Sequence, residues 1–279
     1  MNGVQEKRGI ILVLLSAITF SLAGVLIKFI PWSSMSINGA RNIFAFAIMC
    51  VYMRMTGHKI VVNKSVLFCA VAYIIANYTF VIATKVTSAA NAIVLQFTAP
   101  IFIILFMWLF FKVTPKKLEV TACALVFTGI CCFFLDKISL KGMYGNVIAI
   151  ISGATYAVTF IVKKIPKSDY ESSVLMGQGL SVLIGIPFVC QETVFTPIVL
   201  LLIAVLGTVQ LGLSFVLLGI GLKTVQPVTA SLISTIEPVL NPILVAIFYH
   251  ETIGTLSLIG AAIVVITVAV YNVASAKRG

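Results

Sequence analysis

The sequence predicts an all-α membrane protein of ten transmembrane helices, built as two five-helix repeats of inverted topology. Three observations lead there. Hydrophobic residues make up 61% of the 279-residue chain and charged ones 10%, with a mean hydropathy of +1.16, which is too little charge to clothe a soluble domain. The apolar residues fall in solid runs free of Asp, Glu, Lys and Arg, among them 9–27, 65–84, 86–111, 142–162, 193–222 and 252–276. A bilayer core takes about 20 such residues per helix, and a β-barrel would need an alternation that these runs lack. Third, the chain repeats itself.

The stretch KVTSAANAIVLQFTAPIFIILFMWLFFK, from Lys85 to Lys112, recurs 138 residues later as KTVQPVTASLISTIEPVLNPILVAIFYH, from Lys223 to His250. Ala92 falls on Ala230 and Pro100 on Pro238. At an offset of 136, Gly9 falls on Gly145, Ser16 on Ser152, Thr19 on Thr155 and Phe20 on Tyr156. The halves are therefore read as residues 1–137 and 138–279. Five helices is an odd number, so the second copy must cross the membrane in the opposite sense. Inverted repeats about an axis in the membrane plane are a transporter design, with the binding site at the midplane between the halves.

Taken in order, helix 1 is expected over 9–30, ending at Pro31-Trp32, and helix 2 over 35–55, carrying Arg41. Helix 3 covers 65–84 with Asn77 and Tyr78 in its outer half. Helix 4 is the first proline-interrupted stretch, and helix 5 covers 118–135. Helix 6 starts at Gly145, helix 7 covers 171–190 and helix 8 covers 194–221 with Gln210 and Ser214 mid-span. Helix 9 is the second proline stretch, and helix 10 covers 253–274.

The net charge of +11 does not point to nucleic acid, because the lysines sit singly or in small clusters at helix ends. With ten spans and both termini cytoplasmic, the inner face receives 14 of the 19 Lys and Arg residues, as the positive-inside rule requires. The expected location is the cell membrane. The first apolar run is long for a signal peptide and lacks a clear cleavage site, so it is read as a retained helix. The six cysteines all lie in apolar runs, with neither disulfide nor zinc spacing.

The pattern TSAANAIVLQFTAPIF at 87–102, IEPVLNPILVAIFYHE at 236–251 and ten spans in two halves together resemble the drug/metabolite transporter superfamily of EamA type. Arg41 stands where members often carry arginine, whereas Val113 stands where an acid like Glu251 commonly closes the motif. The resemblance covers nearly the whole chain. It implies secondary transport of a small organic metabolite, such as an amino acid, drug, sugar, nucleoside or polyamine, usually outward, through a cavity between the halves.

Candidate transport residues follow from the cost of polarity in lipid. Pro100 removes a donor and crowds the Gln96 carbonyl four residues back, Pro238 does the same to Ser234, and Pro242 reaches back to Pro238. Freed carbonyls must face protein or a water-filled cavity, so the three prolines are read as kink or gating positions pointing inward. Glu237 is flanked by 13 uncharged residues on each side and is either a substrate or proton site or a structural tie. Arg41 either binds a carboxylate or phosphate or snorkels to the outer interface, and its place near a helix end favours the second. Asn77, Tyr78, Asn91, Gln96, Tyr156, Gln178, Gln210, Ser214 and Asn241 are polar groups within spans, each a substrate contact or an interhelical hydrogen bond. The expected substrate set is Asn77, Tyr78, Asn91, Gln96, Tyr156, Gln210, Ser214, Ser234 and Glu237. His58 and His250 have no partners at metal-ligand spacing, and Lys223 is read as a snorkelling helix-end residue.

No phosphate loop, Ser-His-Asp set or paired carboxylates are present, so neither an enzyme nor a cofactor is expected. The partners expected are the bilayer, a small-molecule substrate and a coupling proton or exchanged solute. No nucleic acid is expected, and a monomer suffices. Uptake of a nucleoside, sugar or organic cation is the alternative reading, and lipid scrambling or an intramembrane enzyme a more distant one.

Overall fold

The computed structural model describes residues 3–86, 89–135, 143–249 and 254–276. Every regular element among them is helical. In chain order these are α1 (Gly3–Phe20), α2 (Ala23–Lys28), α3 (Ser34–Thr56), α4 (Lys64–Val86), α5 (Ala89–Gln96), α6 (Ala99–Phe111) and α7 (Lys117–Phe134). They continue as α8 (Met143–Ile161), α9 (Tyr170–Val189), α10 (Pro197–Val205), α11 (Ser214–Gly221), α12 (Pro227–Ser234), α13 (Glu237–Tyr249) and α14 (Thr255–Ala276). A π-helical segment, Leu206–Leu213, joins α10 to α11 without a gap.

Local chemistry sets several ends. The Ser33 hydroxyl accepts from the Ser36 amide at 3.1 Å to start α3, and Gly57 closes it in the left-handed region at φ 65°. The Asp169 carboxylate caps α9 by accepting from the Ser172 amide at 2.8 Å. Pro197 and Pro227 open α10 and α12, where a missing amide hydrogen costs nothing.

Six runs are long and apolar enough to cross a bilayer by length and composition: Lys64–Ala83, Ala92–Phe111, Met143–Lys164, Tyr170–Val189, Pro197–Gly221 and Thr255–Ser275. The other expected spans consist of shorter or more polar pieces. Large apolar side chains point outward, with Trp108, Leu109, Phe110, Leu183, Ile266 and Val270 all exposed. Such a surface suits lipid as the solvent.

Both proline stretches are broken rather than bent. The breaks fall at Phe97–Thr98 and at Thr235–Ile236, 138 residues apart (235 − 97), which is the offset of the sequence repeat. Helix 1, expected unbroken over 9–30, also divides, at Ser21–Leu22. No proline causes that division. Instead the Ser21 hydroxyl donates to the Ile18 carbonyl at 2.6 Å, and the Leu22 amide turns to the Thr19 carbonyl three residues back.

The helices pair in a regular way. α3 runs along α9 and α7 along α14, while α4 packs on α8 and α1 on α11. The α3–α9 crossing is main chain on main chain, because a Cβ on Gly39 would stand 2.5 Å from the Gly185 Cα. α8 fits into the α5–α6 break in the same manner, since a Cβ on Gly153 would meet the Gln96 carbonyl oxygen at 2.8 Å. The carbonyl freed by Pro100 thus faces protein, as the lipid argument requires. Ser16 on α1 donates to the Ser214 carbonyl at 2.8 Å, and Ser152 on α8 donates to the Ala76 carbonyl at 2.8 Å. Ser152 falls on Ser16 in the sequence repeat (16 + 136).

Candidate functional site

Asn38, Arg41 and Asn42 stand at i, i+3 and i+4 on α3, so they share one face. That face turns into the bundle. Arg41 is 7% exposed, which overturns the expectation that it snorkels to the interface. Its Nη2 donates to Asn38 Oδ1 at 2.8 Å and its Nε to the same oxygen at 3.2 Å. Longer bonds run from Nη1 to Gln210 Oε1 at 3.3 Å and from Nη2 to Asn77 Oδ1 at 3.4 Å. The Asn42 amide donates to the Asn38 carbonyl at 2.7 Å and its oxygen accepts from the Tyr73 hydroxyl at 3.1 Å.

The π-helical segment delivers Gln210 to this cluster. π turns are wide, rare and frequent at functional sites. Here Gly207 lets the segment press on α3, because a Cβ there would stand 2.4 Å from the Arg41 carbonyl oxygen. Gln210 also donates to the Phe20 carbonyl at 3.5 Å, at the end of α1. Beside it Ser214 bonds Thr19 through their hydroxyls at 2.6 Å. Phe215 packs edge-on to Phe20 at 5.1 Å and against Tyr73 at 5.0 Å, giving the cluster an aromatic wall.

The structure brings Asn77 and Gln210 together with Arg41. Tyr78 is buried and donates to the Ser181 carbonyl at 3.0 Å on α9, and Ser214 lies one turn from Gln210. Gln96 is elsewhere, at the α5–α6 break, donating to the Ser152 hydroxyl at 3.0 Å. Ser234 is buried and spends its hydroxyl on the Ala230 carbonyl at 3.0 Å. Glu237 opens α13, half-buried, within electrostatic reach of Tyr156, whose ring meets Phe160 edge-on at 5.2 Å. Pro100 and Pro238 are buried. The side chains of Asn91 and Pro242 lie outside the described residues, although their backbones belong to α5 and α13.

Sequence reasoning missed Asn38, Asn42, Tyr73 and Ser181. The Asn38-x-x-Arg41-Asn42 spacing was the signal available. Three polar groups on one helical face inside a span belong in the interior, not at a membrane surface.

A second cluster ties loop 57–63 to loop 165–169. His58 Nε2 meets both Asp169 carboxylate oxygens, at 3.0 and 2.9 Å. The Ser172 hydroxyl accepts from the Val61 amide at 2.9 Å, and Asn63 donates to the Lys167 carbonyl at 2.7 Å. Glu171, 3% exposed, pairs with Lys223 Nζ at 3.0 Å. Lys163 donates to the Gly219 carbonyl at 3.0 Å. Two expectations are corrected here. His58 does have acidic neighbours, since its donor atom and those of Asp169 and Glu171 lie within 4.8 Å of one another. Lys223 does more than snorkel, because its amine holds a buried carboxylate.

The cluster has a pH signature. Burial pushes the Asp169 carboxyl up, but hydrogen bonds from the Ser172 side chain and amide and from His58 outweigh it and hold the group below the ordinary value of 3.8. A carboxyl whose folded pKa is depressed adds stability above its unfolded pKa and loses it as pH falls through the folded one. Wild-type thermal stability in detergent should therefore fall more steeply below about pH 4 than that of Asp169→Asn. Parallel curves for the two proteins would refute the assignment.

A model of the EamA-like transporter family matches residues 7–135 and again residues 143–273. A protein of Archaeoglobus fulgidus named "Uncharacterized transporter" is 23% identical over 257 residues, covering 90% of this chain and 92% of its own. A crystal structure superposes with a TM-score of 0.83 at 15% identity, covering 96% of this chain and 98% of that one. At that identity the likeness speaks for the fold alone.

Proposed function

This chain belongs to the EamA-like transporter family, and on that premise we propose that it is a secondary active transporter moving a small organic metabolite by alternating access. A multi-pass membrane transporter is the natural reading of the family and of the apolar helices. The finer claims are ours. Ten spans form from α1 with α2, α3, α4, α5 with α6, α7, α8, α9, α10 with α11, α12 with α13, and α14. They divide into inverted halves at residues 1–137 and 138–279, with both termini cytoplasmic.

The observation that carries this reading is the crossed pairing of helices. α1 meets α11 through Ser16, and α4 meets α8 through Ser152, so equivalent helices of the two halves make equivalent bonds. α3 with α9 and α7 with α14 are each a helix against its own counterpart. A two-fold axis between the halves predicts all four contacts. Such an assembly has two conformations of similar energy, open to opposite sides.

In this scheme Asn77, Tyr78, Asn91, Gln96, Tyr156, Gln210, Ser214, Ser234 and Glu237 line the route, and Pro100, Pro238 and Pro242 let the broken helices bend. Export is the assigned direction, and a gradient of protons or of a counter-solute drives it. Purified protein in liposomes loaded with amino acids, nucleosides, sugars or organic cations should release at least one class faster than protein-free vesicles. Silence across the whole panel in both directions would overturn the reading. Glu237→Gln should flatten the pH dependence of transport if Glu237 carries the coupling proton. An unchanged pH profile assigns Glu237 to the scaffold instead.

A further inference from the structure

Arginine stays protonated at any physiological pH, and a cation buried in a membrane protein is costly unless compensated. Among the described residues Arg41 forms no ion pair. Four of the described acids are engaged elsewhere: Asp169 with His58, Glu171 with Lys223, Glu119 on the Lys116 amide and Glu192 on the Ser33 amide. What surrounds the guanidinium is neutral, namely the side-chain oxygens of Asn38, Asn77 and Gln210.

Resting on the transporter reading above, we propose that Arg41 is the anion-recognition point of the transport site and that the substrate carries a single carboxylate. Three observations converge. First, the Nη1 and Nη2 bonds to Gln210 and Asn77 are 3.3 and 3.4 Å long, weak bonds that a carboxylate replaces with a shorter, charge-assisted pair. Second, poorly satisfied buried polar atoms adjoin this cluster. Asn38 Nδ2, Ser181 Oγ and both polar atoms of Gln178 are buried without a well-formed hydrogen bond. Asn38 reaches the Tyr78 hydroxyl, Tyr78 bonds to Ser181, and Gln178 reaches the Tyr73 hydroxyl, the Asn38 and Gln178 contacts with poor hydrogen-bond geometry. Buried orphans of this kind are rare in native proteins and call for an explanation. A bound carboxylate gives the donors among them an acceptor. Third, one cation and an aromatic wall of Phe20, Tyr73 and Phe215 match one negative charge on an otherwise apolar or neutral molecule. A phosphate dianion would leave a charge buried and unpaired.

The test begins with the wild-type protein, so that it does not depend on any variant folding. Thermal unfolding is followed in the presence of monocarboxylates, their methyl esters and amides, phosphomonoesters, nucleosides and organic cations. A monocarboxylate should raise the melting temperature while its ester and amide should not. In liposomes Arg41→Lys should raise KM for that carboxylate about 10- to 100-fold with a smaller change in kcat, and Arg41→Gln should abolish the thermal shift. The proposal falls if ester and acid bind alike, if phosphomonoesters bind and carboxylates do not, or if Arg41→Gln binds the carboxylate normally. It also falls if Arg41→Gln loses transport of charged and neutral solutes in equal proportion, the mark of a purely structural arginine. Wild-type protein that moves only neutral or cationic solutes defeats this inference and leaves the transporter reading standing. Protein that moves nothing defeats the transporter reading itself.

Discussion

Valine in place of Gly39 or Gly185 should collapse the yield of folded, monodisperse protein. The first added carbon at Gly39 would already stand 2.5 Å from the Gly185 Cα, and one at Gly185 would stand 2.2 Å from the Gly39 Cα. A flexible side chain could swing aside, but here the obstacle is backbone on both sides. Overpacking usually costs about 1–3 kcal/mol, and a contact with no rotamer to relax belongs at or above the top of that range. Gly57 supplies the control. Nothing lies within 4 Å of a Cβ there, and its φ of +65° is one that asparagine tolerates, so Gly57→Asn should leave the protein intact. Size-exclusion profiles and thermal unfolding in detergent decide the matter. Gly39→Ala with wild-type stability would show that the helices part easily.

Tyr170→Ala should be the most damaging loss of a large side chain. Tyr170 is 1% exposed, its hydroxyl donates to the Phe215 carbonyl at 3.0 Å, and its ring fills the space left by Gly219. Removing a buried aromatic ring from a water-soluble core costs about 3–5 kcal/mol, part transfer and part cavity. In a membrane the transfer part shrinks, because lipid is as apolar as the interior, while the cavity part survives. The lower end, about 3 kcal/mol, is therefore expected. Tyr170→Phe keeps the ring and should lose only about 1 kcal/mol. Equal losses for the two variants, measured by thermal unfolding, would mean that the hydroxyl rather than the ring holds the contact.

Much of the helical fold was legible because lipid imposes a blunt rule on sequence. Solid apolar runs become helices, and the prolines at 100 and 238 mark where two of them break. The break at Ser21–Leu22 was not legible, since it depends on a serine hydroxyl competing for a carbonyl rather than on a missing donor. The π-helical segment also left no trace. Its turns are stabilised by what packs on them, Gly207 against α3 above all, and that contact joins residues 166 positions apart (207 − 41).

Depth was the harder quantity. Arg41 sits near a helix end in the chain, and distance along the chain was taken for distance from the interface. The orientation of the face decides instead, and Asn38 and Asn42 set that orientation. His58 and Asp169 could not be paired by reading along the chain, because they are 111 residues apart. Glu237 stood out as the acid in an uncharged run, yet it is half-buried, while Glu171, two residues into the acid- and serine-rich start of α9, is buried at 3% exposure. Its partner is Lys223, on another segment altogether.

The serine contacts carry one more consequence. Ser16 and Ser152 both donate to main-chain carbonyls, those of Ser214 and Ala76. A carbonyl is the same group whatever residue bears it. Substitution at either acceptor position leaves the bond in place, and serine has come to stand at one and alanine at the other without disturbing it. Contacts of this kind would let two copies of a repeated unit drift apart in side-chain chemistry while their geometry stays shared. A buried arginine can then stand in one part of such a frame and a lone glutamate in another, with the main-chain bonds that hold the frame unaltered.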